Sequence, residues 1–342
     1  MKILFITQLT EKNIIPINNT VSDSLLLGLK EIYPTDVIDY PGAWYMDKNE
    51  VKKRNYAYKN NFWGNGFTYY DIISDYQQVD RNDVLNKINN NYFDFIIYGA
   101  IRWSKKFLNE AISSTSKLIF IDGDDDTIID TDVLKHGIYF KRELIHDNYK
   151  SVFPINISIP KQKIIKKINV NPTNLLAPLI PYRRNTYIYD NEKDYYKMWQ
   201  NSIFGITYVR DGSWDAIRFH EMLMNGCIPL ILNLEECPTN TSTKLPKKKL
   251  VNIFNKYSWI LNQNFPTKIY KKKFLSPKKF VLYFQALFQK KYNAQSFVLD
   301  FPEINEIREE LLEYTKNNIT TKHIANEVIN ISNNFFSSSG QK

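Results

Sequence analysis

The sequence predicts an α/β protein of about two domains, the first built on a doubly wound parallel sheet. Three observations carry that expectation. Short apolar runs alternate with amphipathic segments through residues 1–150, as in parallel strands joined by helical crossovers. The length, 342 residues, suits about two domains at ~150 residues each. The stretch Asp211 to Leu232, DGSWDAIRFHEMLMNGCIPLIL, reads as a tight loop, a helix, a glycine stop and a strand buried on both faces. An apolar fraction of 43% supplies ample core for this plan.

Ile3–Ile6 is the first strand. Ser22 or Asp23 caps a helix running through Leu29, and Val37–Tyr40 is a strand stopped by Pro41-Gly42. Trp44 to Gln78 is aromatic and irregular. A loop of that length is commonly functional; it could cover an acceptor site, or be a surface excursion pinned by its own aromatic residues. Helices near Asp83–Ile88 and Lys106–Ile112 lead to strands Phe93–Tyr98 and Lys117–Ile121. Gly137–Phe140 is a further strand, followed by Lys141-Arg142-Glu143. Val152–Ile159 runs to Pro160, and the lysine-rich Lys161–Asn169 reads as a linker. The first domain thus spans 1–160 and the second 170–332. The second opens with the proline-broken Leu175–Ile180. A helix over Glu192–Ser202 and a strand over Ile203–Val209 precede the Asp211–Leu232 unit. The polar Glu235–Lys249, with Thr239-Asn240-Thr241-Ser242, follows a strand end and could touch a sugar or the ribose. Val281–Phe288, Ile304–Tyr314 and Thr321–Ile331 have helical periodicity, and 333–342 is expected to be a disordered tail.

The net charge of +9 is uneven. Residues 1–150 hold 18 Lys and Arg against 21 Asp and Glu, the remainder 27 against 15. Such basic patches can draw nucleic acid, an anionic membrane surface or an anionic substrate, or be a solvated lysine surface. No nucleic-acid motif accompanies the charge, so a specific nucleic-acid partner is not expected. Cys227 and Cys237 form neither a metal nor a disulfide framework. No run approaches the ~18 apolar residues of a membrane span, and the N-terminus turns polar too early for a signal peptide. A cytoplasmic setting is expected, with peripheral membrane contact through the lysines left open.

Candidate chemistry gathers at two places. In the Asp211–Leu232 unit, Ser213 suits an N-cap, Asp215 the first turn and Gly226 a left-handed stop. At about 100° per residue, Trp214, Arg218, Glu221 and Asn225 share a wedge of roughly 60°. Ala216, Ile217, Phe219, Leu223 and Met224 lie on the packing side. A helix N-terminus suits phosphate, Arg218 can neutralise a diphosphate and Glu221 can accept from a ribose diol. The plainer reading is an exposed Arg/Glu pair at i,i+3. The second place is Asp122-Gly123-Asp124-Asp125-Asp126, at a strand's carboxyl end, where ligands of parallel sheets bind. It could hold a metal, though it lacks the spaced ligands of a calcium loop. It could supply a general base, or cap the next helix. His136 and His146 are further base candidates. Lys141 and Arg142 could meet a phosphate, or simply flank their strand.

Ser213-Trp214-Asp215, Arg218, Glu221 and Asn225-Gly226-Cys227-Ile228-Pro229 resemble the donor-site signature of GT-B glycosyltransferases, most nearly the exostosin-like group. Asp194-Tyr195-Tyr196 and Ser202–Thr207 are similar to it as well. The match lies mostly within 171–234, and His220 before Glu221 departs from it. The resemblance implies an α/β fold of two Rossmann-like, doubly wound domains facing a cleft, with a final helix crossing back to the first. It implies a nucleotide-sugar donor held by Gly212, Ser213, Trp214, Arg218, Glu221, Lys141 and Arg142. No metal and no cofactor besides the donor is implied. Catalysis would fall to Arg218 and a base among Asp122, Asp124 and Asp126, with inversion at the sugar. The acceptor would be a glycan, lipid-linked or protein hydroxyl, in a setting such as polysaccharide biosynthesis. A nucleotide-sugar epimerase of the same fold and a non-catalytic basic binding protein are the alternatives.

Overall fold

The computed structural model describes residues 1–9, 18–54, 67–146, 149–181, 183–208, 213–258, 260–261 and 300–339. Its first sheet has six parallel strands, β1 (Ile3–Ile6), β2 (Val37–Tyr40), β3 (Phe95–Tyr98), β4 (Lys117–Asp122), β5 (Ile138–Lys141) and β6 (Val152–Pro154). Their order is β2-β1-β3-β4-β5-β6. β1 and β3, ILFI and FIIY, are buried at every position, the uninterrupted apolar pattern of strands covered on both faces. The crossover helices are α1 (Thr20–Ile32), α2 (Lys48–Arg54), α3 (Val84–Asn89) and α4 (Leu108–Ser113). A second parallel sheet, β7-β8-β9, comprises β7 (Asn174–Leu176), β8 (Ser202–Tyr208) and β9 (Ile228–Leu232). Around it lie α5 (Glu192–Gln200), α6 (Ile217–Met224), α7 (Lys247–Tyr257) and α8 (Phe301–Asn318), and α9 (Thr321–Ser339) closes the described chain.

Each sheet has its own apolar core. One face of the first sheet packs on α1 and α9, through Leu25, Leu26, Ile324, Val328 and Phe336. Its other face packs on α3 and α4. The second sheet packs on α6, α7 and α8. α9 therefore lies against the first sheet although it follows the second in the chain. Gly28 permits the approach: a Cβ there would collide with the Thr321 carbonyl.

Several elements differ from the sequence expectation. Neither Ser22 nor Asp23 caps α1; the Asn19 side chain accepts from the Ser22 N–H at 3.1 Å. β6 stops at Pro154, and the chain runs on as a buried strap whose Ile159 bridges Thr320. The expected linker is anchored, since Ile164 and Ile168 are buried and Arg308 donates to the Asn169 carbonyl at 2.8 Å. α9 continues to Ser339 with Ser332 and Phe336 buried, where a disordered tail was expected from 333. Its face against α1 and the first sheet supplies the order that a polar composition hides. The helix expected over 281–288 and the centre of the Trp44–Gln78 stretch, 55–66, lie outside the described residues. Among the described residues, no helix is long and apolar enough to cross a membrane. Several lysines of the basic half are ion-paired: Lys244 with Glu327, Lys249 with Glu310, and Lys256 with Glu303.

Candidate active site

Parallel register sets Asp122 beside Lys141 at the carboxyl ends of β4 and β5. The two side chains pair at 2.9 Å with no exposure. The other Asp122 oxygen accepts from the Tyr139 hydroxyl at 2.6 Å. Asp122 and Lys141 thus neutralise each other inside the first lobe. Asp126 binds Arg102 Nη1 at 2.6 Å. Burial acts to raise its pKa, but the Arg102 bond and neighbouring cations outweigh it and hold the carboxyl below its ordinary value. Asp124 differs. It is half-buried, and burial followed by the Asp122 charge raises its pKa. The Trp103 side chain reaches this carboxylate and Arg102 lies 3.5 Å away. Among the described residues, no three His, Cys, Asp or Glu side chains gather to hold a metal ion.

Arg142 and Glu143 carry this edge to the second sheet. Arg142 pairs with Asp125 and donates to Ser213 Oγ at 3.3 Å. Glu143, fully buried, accepts from the N–H groups of Trp214 at 2.9 Å and Asp215 at 3.2 Å. Burial raises its pKa, opposed by Arg142 and those two N–H groups. Sequence reading named Arg142 but missed Glu143, the residue that fixes the loop entering α6. Its signal was present: a carboxylate directly after two cations at a strand's carboxyl end. Ser213 does not cap α6 and Asp215 is not in its first turn, because the helix begins at Ile217. Asp215 instead pairs with His220 Nε2 at 2.7 Å and accepts from the Ile157 N–H at 2.7 Å, both side chains of the pair being buried. Burial opposes ionisation of Asp215, but His220 and the Ile157 N–H outweigh it and lower the pKa. Trp214 likewise precedes the helix, so the four-residue wedge does not form as expected. Gly212 lies outside the described residues.

α6 opens on Ala216 with no side-chain cap; the Phe219 N–H turns back to the Ala216 carbonyl at 3.0 Å, and the positive end of the helix remains without an acidic side chain in its first turn. Arg218, in that first turn, stands 5.5 Å from the Tyr187 ring, and its Nε has no hydrogen-bond partner. Asn225 ends the helix, donating to the Glu221 carbonyl at 2.9 Å, and Gly226 follows at φ 68°, the left-handed stop expected there. Glu221, which its periodicity places opposite the packing side of α6, is only 6% exposed, so the plainer reading of an exposed Arg/Glu pair does not hold. Its Oε1 accepts from Thr68 Oγ1 at 2.8 Å and its Oε2 from the Tyr195 hydroxyl at 2.7 Å. Burial raises its pKa against these two bonds and Arg218. The Thr239–Ser242 loop turns to the protein: Thr241 Oγ1 donates to the Leu144 carbonyl and Ser242 Oγ to that of Trp214, both at 2.8 Å.

A further carboxylate escaped sequence reading. Asp23 lies near the carboxyl end of β1, where the strand order reverses. Its Oδ1 accepts from Gln8 at 2.9 Å and from the Tyr45 hydroxyl at 2.5 Å, while its Oδ2 is buried without a partner. Burial pushes its pKa up to about 7, against the Tyr45 and Gln8 bonds. His136 is half-buried and His146 is exposed beside a shallow cleft lined by Thr127, Leu144 and Tyr149.

No family model matches the sequence, and no curated protein matches it. Among solved structures, the chain is similar to a glycosyltransferase from Rickettsia africae ESF-5, with a TM-score of 0.50 at 10% identity over 99% of each chain. It is also similar to Anabaena HepE in complex with UDP, with a TM-score of 0.47 at 8% identity over 98% of this chain and 100% of that one. MurG of Acinetobacter baumannii gives a TM-score of 0.36 at 9% identity over 96% of this chain and 100% of that one. At such identities the likeness is one of fold. The chain has the mixed α/β fold of GT-B type that the sequence predicts.

Proposed function

We propose that this chain is a glycosyltransferase, moving a sugar from a nucleotide-sugar donor to an acceptor hydroxyl. The donor would rest on a second domain, 170–332, and the acceptor on a first, 1–160. One observation carries the reading. The loops at the carboxyl ends of β4 and β5 meet the loop entering α6 through Arg142 and Glu143. The acidic cluster and the Arg218/Glu221 helix are thereby joined at one junction, beyond strand ends of the kind where parallel sheets bind ligands. Fold likeness alone would not license an activity; these residues supply the chemical ground.

In the transfer, the acceptor oxygen bonds to the anomeric carbon as the bond from that carbon to the diphosphate oxygen breaks. The acceptor proton passes to a carboxylate. Asp124 is the base in this reading, because its raised pKa moves it toward the range where a general base is effective. Asp122 is paired with Lys141, and Asp126 is held ionised by Arg102. Arg218, Arg142 and the uncapped N-terminus of α6 would receive the departing diphosphate. Fixed charges and dipoles of that kind are a large catalytic contribution, so the step requires no metal ion. A single displacement inverts the anomeric centre. Glu221 would hold the ribose hydroxyls. A glycan, lipid-linked or protein acceptor and a cytoplasmic setting belong to the same reading, as does the exostosin-like subgroup.

The test is release of nucleoside diphosphate from UDP-, GDP- and ADP-sugars, with and without glycan acceptors, in excess chelator. Release should rise with acceptor and persist in chelator. Asp124→Asn should lose about 100-fold or more of transfer while melting like the wild type. Asp122→Asn should instead destabilise the fold by up to about 3–5 kcal/mol, by leaving the buried Lys141 with only Asp126, 3.5 Å away, to offset its charge. Sugar conversion without acceptor or nucleotide release would point to epimerisation, and full transfer by Asp124→Asn would move the base elsewhere.

A further inference from the structure

Thr68 is fully buried, yet it belongs to the long aromatic stretch before α3. Its side chain crosses to the second sheet's helices. Oγ1 lies 2.8 Å from Glu221 Oε1 and 2.6 Å from the Tyr196 hydroxyl. Its N–H donates to Glu192 Oε1 at 3.0 Å. The Phe67 ring stands 5.3 Å from that of Tyr195, and the Tyr69 hydroxyl donates to the Ser158 carbonyl at 2.7 Å. Thr68 holds this position at φ 81°. A β-branched residue at positive φ is an outlier that persists only where surrounding contacts over-determine it, and such strain concentrates at functional sites.

The chemistry of the contact matters more than its existence. A hydroxyl donating to a carboxylate is what a ribose hydroxyl would offer to Glu221. Thr68 takes one oxygen of that carboxylate and Tyr195 the other. With 6% exposure, Glu221 cannot accept from a ribose diol while Phe67–Tyr70 stays seated. We infer that Thr68 is a latch on the donor site: its hydroxyl stands in for a ribose hydroxyl on Glu221, and nucleotide binding requires its displacement. This rests on the donor-site reading above. The consequence is a reduced apparent affinity, since the binding-competent state is only a fraction of the population. The latch residue also lies on the stretch that the sequence suggested could cover an acceptor, so displacing it would couple donor entry to the acceptor side.

Calorimetric titration of UDP, GDP, CDP and ADP into the full chain tests the latch. Thr68→Ala removes the hydroxyl and should tighten binding of the preferred nucleoside diphosphate roughly tenfold, the scale of one hydrogen bond to a charged group. Thr68→Ser keeps the hydroxyl and should bind like the wild type. Tyr196→Phe removes a second partner of Thr68 and should tighten binding by a smaller factor, a check that survives poor folding of the alanine variant. The 2′,3′-dideoxy form of the same nucleotide should gain less from Thr68→Ala than the ribonucleotide does. Equal or weaker ribonucleotide binding by both Thr68→Ala and Tyr196→Phe would overturn the latch while leaving the donor site standing. Absence of binding to every protein would overturn the donor-site reading, and the latch with it.

Discussion

Asp23 carries a carboxyl that the fold makes costly to ionise. Its pKa rises to about 7, chiefly through burial, from an ordinary 3.8. Between those values the folded state binds a proton that the unfolded state has released. Stability therefore falls as pH rises from about 4 to about 7. At about 1.4 kcal/mol per pKa unit, the loss amounts to a few kcal/mol. Asp23→Asn removes the titrating group and should lose less stability over that range than the wild type, as urea melts at pH 4.5 and 7.5 would show. Equal losses in the two proteins would contradict the assignment. Nothing in the neighbouring sequence announces this behaviour. Asp23 reads locally as a helix cap, and only the packing of Gln8 and Tyr45 around it makes it a buried acid. The surroundings of Glu221 were hidden for the same reason: helical periodicity gives a direction, and Thr68, 153 residues away in sequence, closes that direction off.

At the scale of elements, legibility divides by the range of the determining contact. Gly226 was readable as the end of α6, because the left-handed stop is a local backbone requirement that glycine meets. The start of α6 was not, because Glu143 holds the N–H groups of Trp214 and Asp215 in an extended approach. That is a contact between lobes, and no local capping pattern encodes it. α9 shows both sides. Its periodicity was clear from Thr321 to Ile331, but its continuation to Ser339 depends on the first sheet lying beneath it. Gly28 is where α1 admits α9. Gly28→Ala would drive a methyl group into the Thr321 carbonyl, costing about 1–3 kcal/mol as overpacking does. A melting temperature equal to that of the wild type would show that the two helices are not held by this approach.

For the whole molecule, the fold class was legible because β1, β3 and β9 are short apolar runs buried throughout, spaced by crossovers. Such runs have few alternatives to a covered parallel sheet. The candidate site was legible in composition but not in arrangement. Arg142, Ser213 and the acidic cluster were all picked from sequence, yet Lys141 and Asp122 pair in the core and the junction is held by Glu143. The central claim is that α6 receives the diphosphate of a nucleotide-sugar donor. Glu221 is a poor probe of it, since its carboxylate is shared with Thr68. Arg218 is the better one, with its Nε lacking a partner. The direct measurement is a calorimetric titration of UDP, GDP, CDP and ADP into the wild type and Arg218→Gln. At least one should bind the wild type, and bind the variant about tenfold or more weakly, the scale of a charge-assisted bond to phosphate. Equal affinity in the two proteins, or no binding to the wild type, would contradict the account.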